Sequence, residues 1–366
     1  MTRYVRYLGV AVPAGIVGLS LLLAATTPSL VSAQSPSLAA TTPSQLLGDV
    51  LGATPQPLVG TLSETASLLP SGLSLASTPL SSISPFLSGN QTFDLWRGSS
   101  NEYRIQYSSA TSEIDFYDNS VTAWLWNSAS QTATKLSVPA ATSTATYQDP
   151  QLLADQIISK LSLYSNVTLG ANTFVGGVPA YDLKVSPIQS QSTISRVDIY
   201  IDARYDQVLG VTVHTQGQSA PTFSLQYQTI SFTTPPTSIF DFTPPSSATV
   251  KTPSNTASGT STSGSSATST TLSSLEAQAQ KIGSGWEVVH VLPKGSYQDL
   301  MASAPSSYSS EVSLIKALET PVVAPQGPSE AISTPMVNVL ILPDGRLLYG
   351  TVQQSVLLSD ASLLGD

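Results

Sequence analysis

"SEIDFYDNSVTAWLWNS", residues 112–128, alternates apolar and polar side chains on either side of a polar interruption. Side chains two apart on a strand point to one face, so Trp124 and Trp126 stand side by side. Between the two runs, Asp118 and Asn119 tolerate left-handed backbone and favour a turn. Two large aromatics on one face build either a closed core or the wall of a cavity.

The same period of two extends in both directions from Leu58 to Phe232. FDLW (Phe93–Trp96), EYRIQY (Glu102–Tyr107), SEIDFY (Ser112–Tyr117) and TAWLWN (Thr122–Asn127) are separated by Gly, Ser and Asn clusters. Short alternating runs of this kind predict an antiparallel sheet with one buried face. VPAYDLKVSP (Val178–Pro187), RVDIYID (Arg196–Asp202), VLGVTVH (Val208–His214) and FSLQYQTISF (Phe223–Phe232) continue the pattern. Two helices are expected beside the sheet. TPSQLLGDVLGA (Thr42–Ala53) has Ser44 as its expected cap. DPQLLADQIISKLS (Asp149–Ser162) has Leu152, Leu153, Ile157, Ile158 and Leu161 on one side. The prolines of PPTSIFDFTPP (Pro235–Pro245) close the domain, because they cannot continue a ladder.

A stretch of almost only Ser, Thr, Ala, Gly and Pro runs from Ser246 to about Ser273 and reads as a flexible linker. A small C-terminal α+β module is expected after it. GWEVVHVL (Gly285–Leu292) is expected as a strand and SSEVSLIKALE (Ser309–Glu319) as a helix. A hairpin should turn at Pro343-Asp344-Gly345. The expected divisions are residues 1–33, 34–250, 251–275 and 276–366.

Only 10 % of the 366 residues are charged, the net charge is −9, and no basic cluster occurs. Nucleic acid is therefore not expected as a partner. The absence of cysteine excludes disulfides, Cys-ligated metals and a thiol nucleophile. Arg3 and Arg6 precede an uncharged apolar stretch from Leu8 to Ala25, and Val31-Ser32-Ala33 offers a cleavage site. That layout predicts either a secretory signal peptide or a retained membrane anchor, and both place the chain in the extracytoplasmic cell envelope.

A search for chemistry returns no G-x-S-x-G, H-E-x-x-H, P-loop or G-x-G-x-x-G. Ser313 and Lys316 match S-x-x-K without the companion motifs of penicillin-recognising enzymes. His214 and His290 fall in separate modules, and the acid pairs Asp202/Asp206 and Glu113/Asp115 read as solvated groups at turns or on a polar strand face. A non-enzymatic protein without cofactor or metal is the expectation.

The order of SGNQTFDLWRGSSNEYRIQY, EIDFYDNSVTAWLWNSASQTATKL, GVPAYDLKVSP, RVDIYIDARYDQVLGVTVH and the FDFTPP ending resembles the LolA-like lipoprotein carriers and the N-terminal domain of RseB/MucB regulators, from about Leu46 to Val250. Asn119 stands where that pattern usually has Gly, and Trp126 where Tyr is common. The resemblance implies an α+β fold, a strongly curved antiparallel sheet forming an incomplete β-barrel with helices plugging its concave face. It also implies an apolar ligand between sheet and helices. In that register Phe93, Leu95, Tyr103, Ile105, Tyr107, Ile114, Phe116, Trp124 and Trp126 are expected on one face, with Leu153 and Ile157 opposite them. The alternative is that the helix fills the concavity and leaves a dry core. Two functions follow: binding of a lipid or lipoprotein acyl chain, as carrier or envelope sensor, or a regulatory module contacting an anti-sigma factor or another membrane protein. Export has a direct test: sequencing the N-terminus of envelope material should begin at Gln34 for a cleaved signal or at the intact start for an anchor, and a cytosolic protein would contradict both.

Overall fold

The computed structural model describes residues 35–69, 87–99, 102–108, 112–136, 163–252, 271, 274–304 and 309–365. The expected signal or anchor, the helix at Asp149–Ser162 with Leu153 and Ile157, and most of the linker lie outside them.

Helix α1 (Pro43–Gly52) starts two residues earlier than expected, capped by Thr42 and not by Ser44. The Gln45 backbone N–H donates to Thr42 Oγ1 at 3.2 Å, and the Thr42 N–H donates to Gln45 Oε1 at 3.1 Å. Pro43 explains the shift, since it has no N–H to satisfy and its fixed φ suits the first helical position.

Strands β1 (Leu58–Ser67), β2 (Ser88–Arg97), β3 (Tyr103–Ser108), β4 (Glu113–Asp118), β5 (Ala123–Asn127) and β6 (Thr132–Leu136) form an antiparallel meander. β7 (Ser165–Leu169), β8 (Thr173–Val175), β9 (Val178–Pro187), β10 (Ile194–Asp202), β11 (Val208–Thr215) and β12 (Phe223–Ser231) follow. Pairing of β12 with β1 joins the two halves into one sheet. The pairing path runs from β13 (Thr249–Lys251) and β6 at one edge to β7 at the other, and the sheet does not close on itself. The proline-rich segment after β12 ends that ladder as expected, but the chain then crosses to the far edge. There β13 pairs with β6, in parallel.

Register decides which side chains share a face. Tyr117 pairs with Trp124 and Asp115 with Trp126, while Phe116 pairs with Leu125 and Ile105. Trp124 and Trp126 are therefore on the opposite face from Phe93, Leu95, Tyr103, Ile105, Tyr107, Ile114 and Phe116, which do share one face. This corrects the common aromatic wall expected from sequence.

The tryptophan face is covered by the crossing segment. Phe242 stacks on Tyr117 at 4.7 Å between centroids and lies 5.9 Å from Trp124 and 6.0 Å from Trp126. Two residues earlier, Phe240 is 1 % exposed. The Arg104 guanidinium lies 5.0 Å from the Trp96 ring and 4.9 Å from Tyr117, and it donates to the fully buried Asp115 at 2.9 Å. Cation–π contacts of this kind gain about 2 kcal/mol when desolvated.

The C-terminal module is a second sheet, in the order β14 (Gln280–Ile282), β15 (Val289–Val291), β19 (Leu347–Gly350), β18 (Asn338–Ile341), β17 (Gly327–Ser333) and β16 (Thr320–Ala324). Helix α2 (Ser296–Ser303) contributes Tyr297 and Leu300 to one side, against Ile341 and Leu347, and helix α3 (Ser309–Leu318) precedes β16. On the other side, α4 (Gln354–Ala361) places Leu357 and Ala361 on Leu340 and Leu348. Leu275 is buried with the α2 side, so the folded module begins no later than this residue. The expected turn is present, with Gly345 at φ 79° and the Arg346 N–H donating to Asp344 Oδ1.

Gly285–Leu292 is shorter as a strand than expected, because Gly285–Glu287 forms a 3₁₀ turn that docks on the first sheet. The Trp286 N–H donates to Gln189 Oε1 and its indole N–H to Ser165 Oγ at 2.8 Å. Thr193 N–H donates to Thr351 O, Gln353 N–H to Gln191 O, and Gln191 N–H to Glu287 Oε1. The two sheets thus meet through the β9–β10 connection.

Removing the buried Phe240 ring leaves a cavity under the crossing segment. Phe240→Ala should lower stability by about 3–5 kcal/mol in urea unfolding. A loss under about 1 kcal/mol would show that the segment does not hold the sheet face.

Candidate ligand-binding face

The face opposite the tryptophans is apolar across the large sheet. Leu95, Ile105, Phe116 and Leu125 form one cross-strand row over β2–β5. All four are half-buried. In the neighbouring row Phe93 and Tyr107 lie 5.3 Å apart between ring centroids, Tyr107 pairs with Ile114, and both Tyr107 and Ile114 are buried. Tyr103 pairs with Asp118 at the end of the face, beside the β4–β5 turn.

Beyond β1 the same face continues through Leu225, Val211, Ile199 and Leu183. Helix α1 packs here, with Leu46 on Tyr181, Leu183 and Ile201, and Leu47 and Val50 at the border of the cluster. The Tyr181 hydroxyl donates to Ala39 O at 3.0 Å, which ties the segment before the helix to the sheet. A bulge between Thr61 and Leu62 shifts the pairing of β1 with β12 where the two halves of the sheet join.

The outer face of the β9–β12 half is polar by the same alternation. Asp198, 2 % exposed, accepts from Arg196 Nε at 2.6 Å and contacts Lys184 at 3.4 Å and His214 Nε2 at 3.0 Å. Burial would raise its pKa, but the Arg196 hydrogen bond, the two cations and His214 outweigh burial and lower it. His214 is thus a partner in an ion network and not a bare strand end. Ser63, Thr65, Ser224 and Gln226 line a shallow polar cavity of about 220 Å³ beside this network.

The expected solvation of the acid pairs holds for neither. Asp115 is fully buried against Arg104, and burial, with Glu113 adding to it, pushes its carboxyl up to about 7. Asp202 is 1 % exposed and accepts from the backbone N–H groups of Arg204 and Tyr205, which makes it a turn cap. Ser313 and Lys316 lie on α3, and among the described residues no group of three His, Cys, Asp or Glu is placed to hold a metal.

Glu64 was not anticipated as a site residue. It lies on the apolar face between Gln91 of β2 and Leu225 of β12, and burial pushes its carboxyl up to about 7. LVGTLSETAS (Leu58–Ser67) marks it only as a polar residue in a strand, and its face follows from pairing with β2 and β12.

No protein-family profile and no curated protein sequence matches this chain. Solved structures similar to it include the Pseudomonas aeruginosa MucA/MucB complex, at 13 % identity over 87 % of this chain and 96 % of that chain, with a TM-score of 0.40. An uncharacterized conserved protein from Thermus thermophilus is similar at 8 % identity over 57 % of this chain and 98 % of that one, with a TM-score of 0.33. A LolA superfamily protein from Nitrosomonas europaea is similar at 12 % identity over 56 % and 99 %, with a TM-score of 0.22. These structures thus include a MucB protein and a LolA superfamily protein.

Proposed function

We propose that this chain is an extracytoplasmic, non-enzymatic protein that holds the acyl chain of a lipid or lipoprotein on the apolar face of its large sheet, as a carrier or envelope sensor. The observation that supports this reading is the half-buried row Leu95–Ile105–Phe116–Leu125, flanked by Phe93, Tyr107 and Ile114. Strands β1–β5 at ~4.8 Å spacing span ~19 Å, enough for an extended chain lying across them.

Magnitudes favour a long chain over a small apolar molecule. Each methylene removed from water gains about 0.8 kcal/mol, and association costs about 4–15 kcal/mol in lost freedom. A ligand must bury on the order of ten methylenes before the contact holds. The sheet supplies mostly apolar contact for this and requires no catalytic group.

The two faces give the reading a discriminating test. Organic extracts of purified protein, analysed by mass spectrometry, should contain lipid, and the stripped protein should take up palmitate. Phe116→Ala should weaken that uptake about tenfold to a hundredfold, the loss expected from about 1.5–3 kcal/mol of apolar contact. Trp124→Ala should leave affinity within about twofold, since its ring packs under Phe242 on the other side. Empty extracts together with no palmitate uptake would overturn the proposal and favour a protein partner on this surface.

A further inference from the structure

The row Gln91–Glu64–Leu225–Val211–Ile199–Leu183 crosses the apolar face through a single carboxyl. Gln91 Oε1 accepts from the Tyr107 hydroxyl at 2.5 Å, so its amide N–H₂ and the Glu64 carboxyl form a small polar spot among aliphatic and aromatic side chains. Four other carboxylates of this sheet each have a partner. Asp94 accepts from Thr61 at 2.7 Å, Asp115 pairs with Arg104, Asp182 with Lys184 and Asp198 with Arg196. Glu64 has no hydrogen-bond or ion-pair partner among the described residues. Burial alone displaces its titration.

A half-buried carboxyl without a partner costs stability, and a titratable group perturbed on a binding surface is a mark of function. Resting on the acyl-chain reading above, we infer that Glu64 receives the polar end of the bound amphiphile and selects a cationic or uncharged hydrogen-bond-donating head over an anionic one. The chain would lie along Phe93, Leu95 and Phe116, with its head against Glu64 and Gln91. An amine or hydroxyl then supplies the donor that Glu64 lacks. A free carboxylate meets the like charge of an ionised Glu64 in a partly dehydrated setting.

Tyr107 from β3 shares this face, its hydroxyl bonded to Gln91, and Tyr227 of β12, pushed up to about 12 by burial, pairs with Leu62, two residues along β1 from Glu64. No charged group from β1, β2 or β12 acts on Glu64. Its ionisation near pH 7 is thus the charge change on this part of the face.

Binding of hexadecylamine, hexadecanol and palmitate to the delipidated full chain tests this at about pH 6 and about pH 8, one unit either side of the Glu64 titration. At the higher pH the parent should bind hexadecylamine at least about tenfold more tightly than palmitate, and Glu64→Gln should bring the two within about twofold. Lowering the pH should strengthen palmitate binding to the parent but not to Glu64→Gln. Hexadecanol affinity should be similar in both proteins, which shows the face intact. Glu64→Gln should also melt higher than the parent at about pH 8, because it removes an unpartnered charge. An unchanged amine-to-palmitate ratio in Glu64→Gln, with hexadecanol still bound, overturns the role of Glu64 alone. Failure of the parent to bind any of the three overturns the acyl-chain reading and this inference with it.

Discussion

One side-chain cap sets the geometry of the first half of the sheet. Asn119 Oδ1 accepts from the backbone N–H groups of Val121 and Thr122, at 3.1 and 2.8 Å, while Asp118 Oδ1 accepts from the Ser120 N–H. Ser120 takes the left-handed conformation, at φ 68°. This turn fixes Asp118 opposite Ala123 and hence Tyr117 opposite Trp124. A slip by one residue would move both tryptophans to the apolar face and Leu125 off it. Which side chains share the tryptophan face and which share the apolar face depends on that register.

A sheet with two large faces has two surfaces to satisfy, and this one treats them differently. On the tryptophan side, Phe242 closes a stack that runs through Tyr117 and Arg104 to Trp96. Further along the same side, the Asp198 network tolerates water, because its charges are mutually compensated. The other side is apolar from Leu125 to Leu183, and α1 is centred on Leu183 and Ile201. Trp124 and Trp126 are therefore half-buried beside Phe242, with the apolar row Leu95–Ile105–Phe116–Leu125 on the reverse of the sheet.

Much of this was legible from alternation. Strand β9 was expected with the limits it has, and Phe93 to Phe116 were expected on one face. Parity across turns was harder to read. The β2–β3 connection, residues 98–102, is odd in length, so Leu95 pairs with Ile105. The β4–β5 connection, residues 119–122, is even, so even-numbered Trp124 pairs with odd-numbered Tyr117. The prolines of the crossing segment mark it as a terminator because they cannot extend a ladder, yet its Phe242 supplies the cover for the tryptophans. The burial of Asp115 and Asp202 escaped sequence reading because their partners, Arg104 and the 204–205 backbone, are defined only by pairing and turn geometry.

The two sides of the sheet also respond oppositely to protons. Asp198 is held below its usual range by Arg196, Lys184 and His214 despite burial, so it stabilises the fold above the ordinary aspartate pKa and loses that contribution as pH falls through its depressed value. Glu64 is displaced upward by burial, so it weakens the folded state as pH rises from the ordinary glutamate range through about 7. Between these windows the polar face keeps its ion network while Glu64 on the apolar face is neutral. A neutral Glu64 presents no like charge to an anionic head, and this state coincides with an intact scaffold on the mildly acidic side of neutrality. Above that range the network persists but the apolar face carries a charge, so the change is confined to the surface that would meet the ligand.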